Sequence, residues 1–158
     1  MSDDINSVDI LVRREIEALL AAPLIEGFMG EVGREKALDI AQKVIRDLAL
    51  ESGRLLAKFS GGNKMEDLAK GMPFFSRGDA LEIDVLEASQ TRISMNVKKC
   101  RYAEMYKEHG MEEFGCLLSC SRDFSLVEGF NPKIKLTRTQ TIMEGADYCG
   151  FRFTMEPE

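Results

Sequence analysis

The sequence has 158 residues, 44% hydrophobic and 30% charged, a composition typical of one folded domain that needs neither a disulfide nor a metal to hold its core. Its net charge of −6 argues against nucleic-acid binding, whose affinity comes largely from phosphate neutralisation, and its single histidine excludes two-histidine mechanisms. No apolar run approaches the roughly 20 residues of a membrane span, and the acidic N-terminus lacks a signal-peptide pattern. We therefore expect a cytoplasmic protein with reduced cysteines and no membrane partner.

The first third of the chain has apolar residues at helical spacing. One stripe runs over residues 8–20, and Pro23 is expected to interrupt or restart that helix. A longer stripe over residues 37–59 predicts a second helix that ends at Gly61-Gly62. The two helices are apolar enough to form a subunit interface, so we expect a homo-oligomer, although core packing explains them equally well.

Alternating apolar and polar residues take over after residue 80, and they predict strands. Asn63 followed by Glu66 predicts the cap of a short helix before them. Further helices and a second hairpin are expected downstream. The expected elements are strands at 81–85 and 93–97, helices at 101–109 and 112–127, and strands at 134–142 and 149–155.

The order of these elements predicts an α+β fold. We expect a four-stranded, mainly antiparallel sheet built from two hairpins and packed against helices on one face, after a helical N-terminal third. The chain is expected to form a single domain over 1–158, with a helical lobe at 1–62 and an α+β body at 63–158.

The cysteines are the first residues with chemical potential. Cys120 and Asp123 lie one helical turn apart and predict a nucleophile and its base, with Cys116 on the same face. Cys149 begins the last strand, where a pocket opens at a sheet end. Cys100 follows two lysines, whose charge would lower the pKa of its thiol. All four cysteines are also explained as small core residues.

A metal site is a further reading of the same cysteines. Cys100, Cys120 and Cys149 come from three elements and would bind zinc if they converged, with Asp123 or water as the fourth ligand. The paired Cys-x-x-Cys spacing typical of zinc sites is absent, so our prediction includes neither a metal nor a cofactor.

Arg138 is unusual because strand alternation places it with apolar residues on the inward face. A buried arginine needs an anionic partner. Asp123, Glu104 and a substrate carboxylate are the alternatives.

Several short stretches of the C-terminal two thirds together resemble the L-2-amino-thiazoline-4-carboxylic acid hydrolase family. Their order, rather than any one of them, is specific. The stretches are Cys100-Arg-Tyr-Ala-Glu104, Leu118-Ser-Cys-Ser-Arg-Asp123, Glu128-Gly-Phe-Asn131, Leu136-Thr-Arg-Thr-Gln-Thr141, Gly145 and Cys149-Gly-Phe-Arg152.

The resemblance implies a small hydrolase acting on a C–N or C–S bond of a cyclic amidine, such as a 2-amino-thiazoline-4-carboxylate. Fitting that chemistry to the sequence, either a thiolate of Cys120 or Cys149 or an activated water attacks the ring carbon, and Asp123 is the base. Arg138 is expected to hold the substrate carboxylate. The remaining expected substrate-binding residues are Cys100, Asn131 and Thr139.

One position departs from the family pattern and leaves other functions open. Members often carry an acidic residue directly after the last motif cysteine, where this chain has Gly150. If that acid takes part in turnover, the departure at Gly150 puts the activity of this chain in doubt. The alternatives are a non-catalytic sensor that binds a small molecule or metal on the same scaffold, and a purely structural oligomer.

Overall fold

The computed structural model describes residues 7–156, and its elements follow the predicted α+β order. The α-helices are α1 (Ile10–Val32), α2 (Arg34–Ser60), α3 (Met65–Gly71), α4 (Arg101–Glu108), α5 (Glu112–Gly115) and α6 (Arg122–Phe130). The strands are β1 (Leu81–Ala88), β2 (Arg92–Cys100), β3 (Ile134–Thr137) and β4 (Cys149–Met155). Shorter segments are the 3₁₀ turns Met72–Asp79 and Ile142–Glu144 and the π turn Cys116–Cys120.

The four strands form one antiparallel sheet in the order β1-β2-β4-β3, which confirms the predicted fold class. The inner face of the sheet buries Ile93, Met95, Ile134 and Phe153. These side chains share a hydrophobic cluster with residues of α3 and α6. Because β2 and β4 are the interior strands, the C-terminal end of β2 and the start of β4 meet in the middle of the sheet.

A second hydrophobic cluster joins the N-terminal helices to the body. It contains Ala18 and Ala22 of α1, Ile45 of α2, and Tyr106 and Phe114 from α4 and α5. All five side chains are buried, so the helical third packs as part of the same core.

The backbones of α2 and α6 approach each other at two glycines. A Cβ on Gly129 would lie 2.0 Å from the carbonyl oxygen of Leu50, and one on Gly53 would lie 2.0 Å from the carbonyl oxygen of Leu126. No other residue type fits such a contact without moving a helix. This crossing fixes α6, and the residues at its start, against α2.

The prediction that Pro23 interrupts the first helix is wrong. Pro23 lies inside α1, on its exposed side. The carbonyl that loses its N–H partner there can reach water, so the missing hydrogen bond is tolerated. None of the helices between residues 7 and 156 combines the length and apolar content that a membrane crossing requires.

Two other boundaries differ from the prediction. The cap of α3 lies one residue later than Asn63 and Glu66, since the backbone N–H of Lys64 donates to the carboxylate of Asp67 at 3.1 Å. The third strand ends at Thr137 rather than at residue 142. Beyond Thr137 the chain leaves the sheet, and the side chain of Arg138 forms a buried ion pair instead.

Candidate functional site

A cavity of about 100 Å³ lies between α1, the start of α6, the C-terminal end of β2 and the start of β4. Its wall includes five of the seven residues predicted as a site, although they are up to 49 positions apart in the sequence. These five are Cys100, Cys120, Asp123, Arg138 and Cys149. The rest of the wall is mostly apolar, with Val97, Leu126 and Phe151 among its members.

Arg138 and Asp123 form an ion pair in the cavity wall. One terminal nitrogen of Arg138 donates to the carboxylate of Asp123, and the other donates to the backbone carbonyl of Cys120 at 2.9 Å. The guanidinium also packs on the rings of Phe124 and Phe151, at 5.0 and 5.1 Å from their centroids. Of the partners considered for Arg138, the structure therefore supplies Asp123.

Asp123 lies deep in the fold but remains open to the cavity. Its side chain is 38% exposed, whereas that of Arg138 is 5% exposed. Burial raises the pKa of the Asp123 carboxyl, and the Arg138 cation opposes this only in part. The result is a carboxylate that faces a cavity and is a stronger base than an ordinary aspartate.

A π turn sets which residues at the start of α6 face the cavity. The backbone N–H of Ser121 donates to the carbonyl of Cys116 at 2.8 Å, five residues back. Cys120 and Asp123 line the cavity, and Cys116 lies outside its wall although its side chain contacts that of Cys120. Helical spacing predicts that Cys116 and Cys120 share a face, and their side chains are in contact.

Burial keeps the cavity cysteines in their thiol form. It raises the pKa of Cys100 to about 11, and it also raises the pKa values of Cys120 and Cys149. The predicted lowering by the neighbouring lysines is wrong, because Lys98 pairs with Asp84 instead. The Arg138 cation favours the thiolate forms of Cys120 and Cys149, but burial outweighs it at both residues.

The zinc alternative lacks its ligand set. Within residues 7–156, no three His, Cys, Asp or Glu side chains are placed to bind a common ion. Cys149 has another partner, since its sulfur accepts the backbone N–H of Ile142 at 3.2 Å.

Two of the predicted substrate-binding residues lie away from the cavity. The side-chain amide of Asn131 donates to the carbonyl of Asn63 at 2.9 Å, and its oxygen accepts the N–H of Lys133 at 2.9 Å. Thr139 lies in a separate depression of about 80 Å³, together with Gly150 and Arg152. An acidic residue at position 150 would therefore face this depression and not the cavity.

Sequence reasoning missed two arginines in the cavity wall, Arg14 of α1 and Arg122 of α6. Both donate to the same carboxylate, that of Glu17, at 2.6 and 3.1 Å. Their side chains are 12% and 10% exposed. Burial, and after it the Arg14 cation, lowers the pKa of Arg122. Helical spacing could have predicted the position of Arg14, because Arg14 lies four residues from both Ile10 and Ala18, which are buried on one face of α1.

The charges around the cavity do not balance. In the part of the chain that the structure describes, the ion pairs of Arg14, Arg122 and Arg138 involve two carboxylates, those of Glu17 and Asp123. These contacting groups therefore carry one net positive charge, on arginine side chains that are only 5–12% exposed. Such a site favours a small ligand with one negative charge.

The fold and the site together define an α+β domain with a small cavity enclosed between helices and sheet. Residues 13–153 match the model of the L-2-amino-thiazoline-4-carboxylic acid hydrolase family, so the chain belongs to that family. No curated protein sequence matches the chain significantly.

Two solved structures have a similar fold at 12% sequence identity. One is the phenol-responsive sensory domain of the transcription activator PoxR with phenol, with a TM-score of 0.54 over 87% of this chain and 73% of that chain. The other is trafficking protein particle complex subunit 3 from Naegleria fowleri, covalently bound to palmitic acid. Its TM-score is 0.55, over 92% of this chain and 96% of that chain.

Proposed function

We propose that the protein is a hydrolase that opens a small cyclic amidine carrying a carboxylate, such as 2-amino-thiazoline-4-carboxylate. The observation that carries this proposal is the convergence of Cys100, Cys120, Asp123, Arg138 and Cys149 on one cavity. Family membership supplies the reaction class.

An activated water is the favoured nucleophile, since burial holds the cavity thiols in their protonated form. Asp123 removes a proton from the water, whose oxygen bonds to the ring carbon between sulfur and nitrogen. The C=N electron pair moves to the ring nitrogen, which takes up that proton. Asp123 then accepts the remaining hydroxyl proton as the carbonyl forms and the bond from this carbon to the ring sulfur or to the ring nitrogen breaks, and the leaving atom receives this second proton as a thiol or an amine. Arg138 acts by orienting Asp123, because both its terminal nitrogens are already engaged.

The substrate carboxylate is assigned to Arg14 and Arg122 in this proposal. Both contact one carboxylate, that of Glu17, whose side chain is 48% exposed and can turn towards water, while Nε of Arg122 also donates to the backbone carbonyl of Leu118 at 2.8 Å. A bound carboxylate would relieve the repulsion between the two guanidinium groups. The ring would then lie against the apolar wall near Leu126 and Phe151, with its reacting carbon towards Asp123.

Turnover of L-2-amino-thiazoline-4-carboxylate tests the proposal. The wild-type protein should add the mass of one water to the substrate, and assays for new thiol and new amine identify the bond that breaks. Asp123→Asn should lower kcat at least about 100-fold, whereas Arg14→Gln should mainly raise KM, by at least about tenfold. Asp47→Asn, on the exposed side of α2, is the matched control and should leave both constants unchanged. Wild-type protein that binds this compound without converting it would contradict the hydrolase proposal.

A small-molecule sensor is the second candidate. The observation that favours it is the apolar wall of the cavity beside protonated thiols, on a fold shared with a phenol-responsive sensory domain. Uncharged phenol binding with a measurable Kd, in a protein that hydrolyses no cyclic amidine, would support this function over catalysis.

A further inference from the structure

The helix α1 is apolar on its outer side as well as on its inner side. Ala18, Ala22 and Ile25 are buried in the core. On the other side, residues at intervals of four are more than half exposed, namely Ile16 (62%), Leu20 (67%), Leu24 (51%) and Phe28 (58%). A helix that is apolar all round is normally enclosed on both sides.

The neighbouring helix α2 continues this apolar surface with the same spacing. Ile40, Val44 and Leu48 are 55%, 52% and 52% exposed. We call these three residues, together with the four of α1, the α1/α2 face. The two helices pack against each other, with only Gly33 between them in the chain, so the face belongs to one helical hairpin.

The α1/α2 face is larger than a monomer ordinarily exposes. From the exposed fractions, its seven side chains present roughly 800 Å² to solvent, against about 300–600 Å² for the largest apolar patch of a typical monomer. A standard protein interface buries about 800 Å² on each partner. The area is therefore what one stable interface requires.

We propose that the α1/α2 face is covered by the same face of a second copy of this chain, related by a two-fold axis. The charges beside the face support a self-complementary contact. On α2 the exposed residues Lys36, Asp39, Lys43 and Asp47 alternate in charge along one side of the helix, at intervals of three and four residues. A two-fold axis can run this row antiparallel to its copy and set the acidic residues of one hairpin against the basic residues of the other.

A lipid surface fits the same face less well. Peripheral helices that bind membranes carry lysine or arginine beside their apolar side, and anionic lipids attract them. Here the exposed charges of the second half of α1 are glutamates, and the whole chain carries −6. Another apolar surface, at the edge strand β1, is smaller, with Val85 and Leu86 at 64% and 58% exposure.

Sedimentation velocity on the full chain, from about 1 to 200 µM, tests the proposal. The wild-type protein should reach a mass of about 35 kDa, twice the 17.7 kDa of one chain. Leu20→Glu and Val44→Glu, on different helices of the face, should each raise the dimer dissociation constant at least about 100-fold, because each change occurs twice across the axis. Leu86→Glu, a matched change at similar exposure on β1, should have no effect.

Several results would overturn the proposal. One is a wild-type mass of 17.7 kDa at every concentration. Another is a dimer that Leu86→Glu dissociates and the two face variants do not. A third is monomeric wild-type protein that sediments with neutral phosphatidylcholine vesicles, since lipid would then cover the face. Circular dichroism shows whether each face variant folds. If one variant does not fold, the dissociation constant of the other still tests the proposal. The dimer does not depend on the hydrolase proposal, because turnover is measured separately.

Discussion

Arg138 depends on Asp123, because its side chain is 5% exposed and its charge would otherwise lack an anionic partner. Removing one partner of such a pair leaves the other charge uncompensated, which costs several kcal/mol. The pair also fixes the direction of the carboxylate, since Arg138 is held by the carbonyl of Cys120 and by two aromatic rings. A base held in this way needs little reorganisation when it accepts a proton.

The raised pKa of Asp123 predicts how turnover depends on pH. A general base works in its ionised form, which exists only above its pKa, so activity should fall as the pH falls through that value. Since burial moves the pKa upwards, the acid limb of kcat/KM should lie above the value of about 4 of an ordinary aspartate.

The measurement is kcat/KM for the cyclic amidine between pH 4 and 9. Asp47→Asn should keep the wild-type pH profile. The residual kcat/KM of Asp123→Asn should no longer fall at acid pH. A limb that persists in Asp123→Asn would assign the base to another residue.

The raised thiol pKa values predict slow alkylation. With a pKa of about 11, Cys100 is ionised in about one molecule in a thousand at pH 8, and burial also suppresses ionisation of Cys120 and Cys149. Iodoacetamide labelling followed by mass mapping should show slow modification of all three near pH 8, with rates rising towards pH 10. The matching variants, Cys120→Ser and Cys149→Ser, should keep turnover within about tenfold of wild type. A single cysteine that is labelled rapidly at pH 7 would instead support a thiolate as the nucleophile.

At the scale of elements, the crossing of α2 and α6 predicts a sharp difference between two glycines. Gly129→Ala should lower the free energy of unfolding by at least about 2 kcal/mol, because the new Cβ would overlap the carbonyl of Leu50. Gly30→Ala is the matched control in α1, where a Cβ meets no atom within 4 Å. It should be neutral or stabilise by up to about 1 kcal/mol, through helix propensity.

Urea unfolding of both variants makes the comparison. Equal stability of the two would mean that α6 can move away from α2 without loss. Since α6 begins beside Cys120 and Asp123, a destabilised Gly129→Ala protein should also show weakened turnover.

Short-range sequence patterns predicted most helices and strands, but they could not predict the contacts between those elements. The helix ending at Gly61, the first hairpin and the start of β4 at Cys149 all follow from periodicity and turn residues within a short window. The order of the strands does not, since it depends on pairing between distant segments. The π turn was not predicted for another reason, because its extra residue does not change the spacing of apolar residues in a recognisable way.

The candidate site divides in the same way. The ordered motif pointed to five residues that do line one cavity, yet it also included Asn131, whose amide holds a turn. Arg14 was missed because it comes from a helix far from the motif in the sequence. Only the packing of α1 against the body brings it to the cavity.

At the scale of the whole molecule, ligand binding should appear as stability. A ligand present at 100 times its Kd adds about 2.7 kcal/mol to the free energy of unfolding. For a chain of this size, that corresponds to a rise in Tm of roughly 5–10 °C. Saturating 2-amino-thiazoline-4-carboxylate should produce such a rise in Asp123→Asn, which binds without turnover, and much less in Arg14→Gln. Equal rises in the Tm of both variants would mean that the substrate carboxylate does not bind at Arg14.

The strand order has a consequence for how the molecule is made. β4 follows the other three strands in the chain, yet it occupies an interior position between β2 and β3. Until β4 is synthesised, β2 presents an unpaired edge and β3 has no neighbour in the sheet, while Cys149 and Phe151 are missing from the cavity wall. A ribosome-bound chain that stops before residue 149 therefore exposes an open sheet edge of the kind that aggregates, and a chaperone that shields β2 would protect it during that interval.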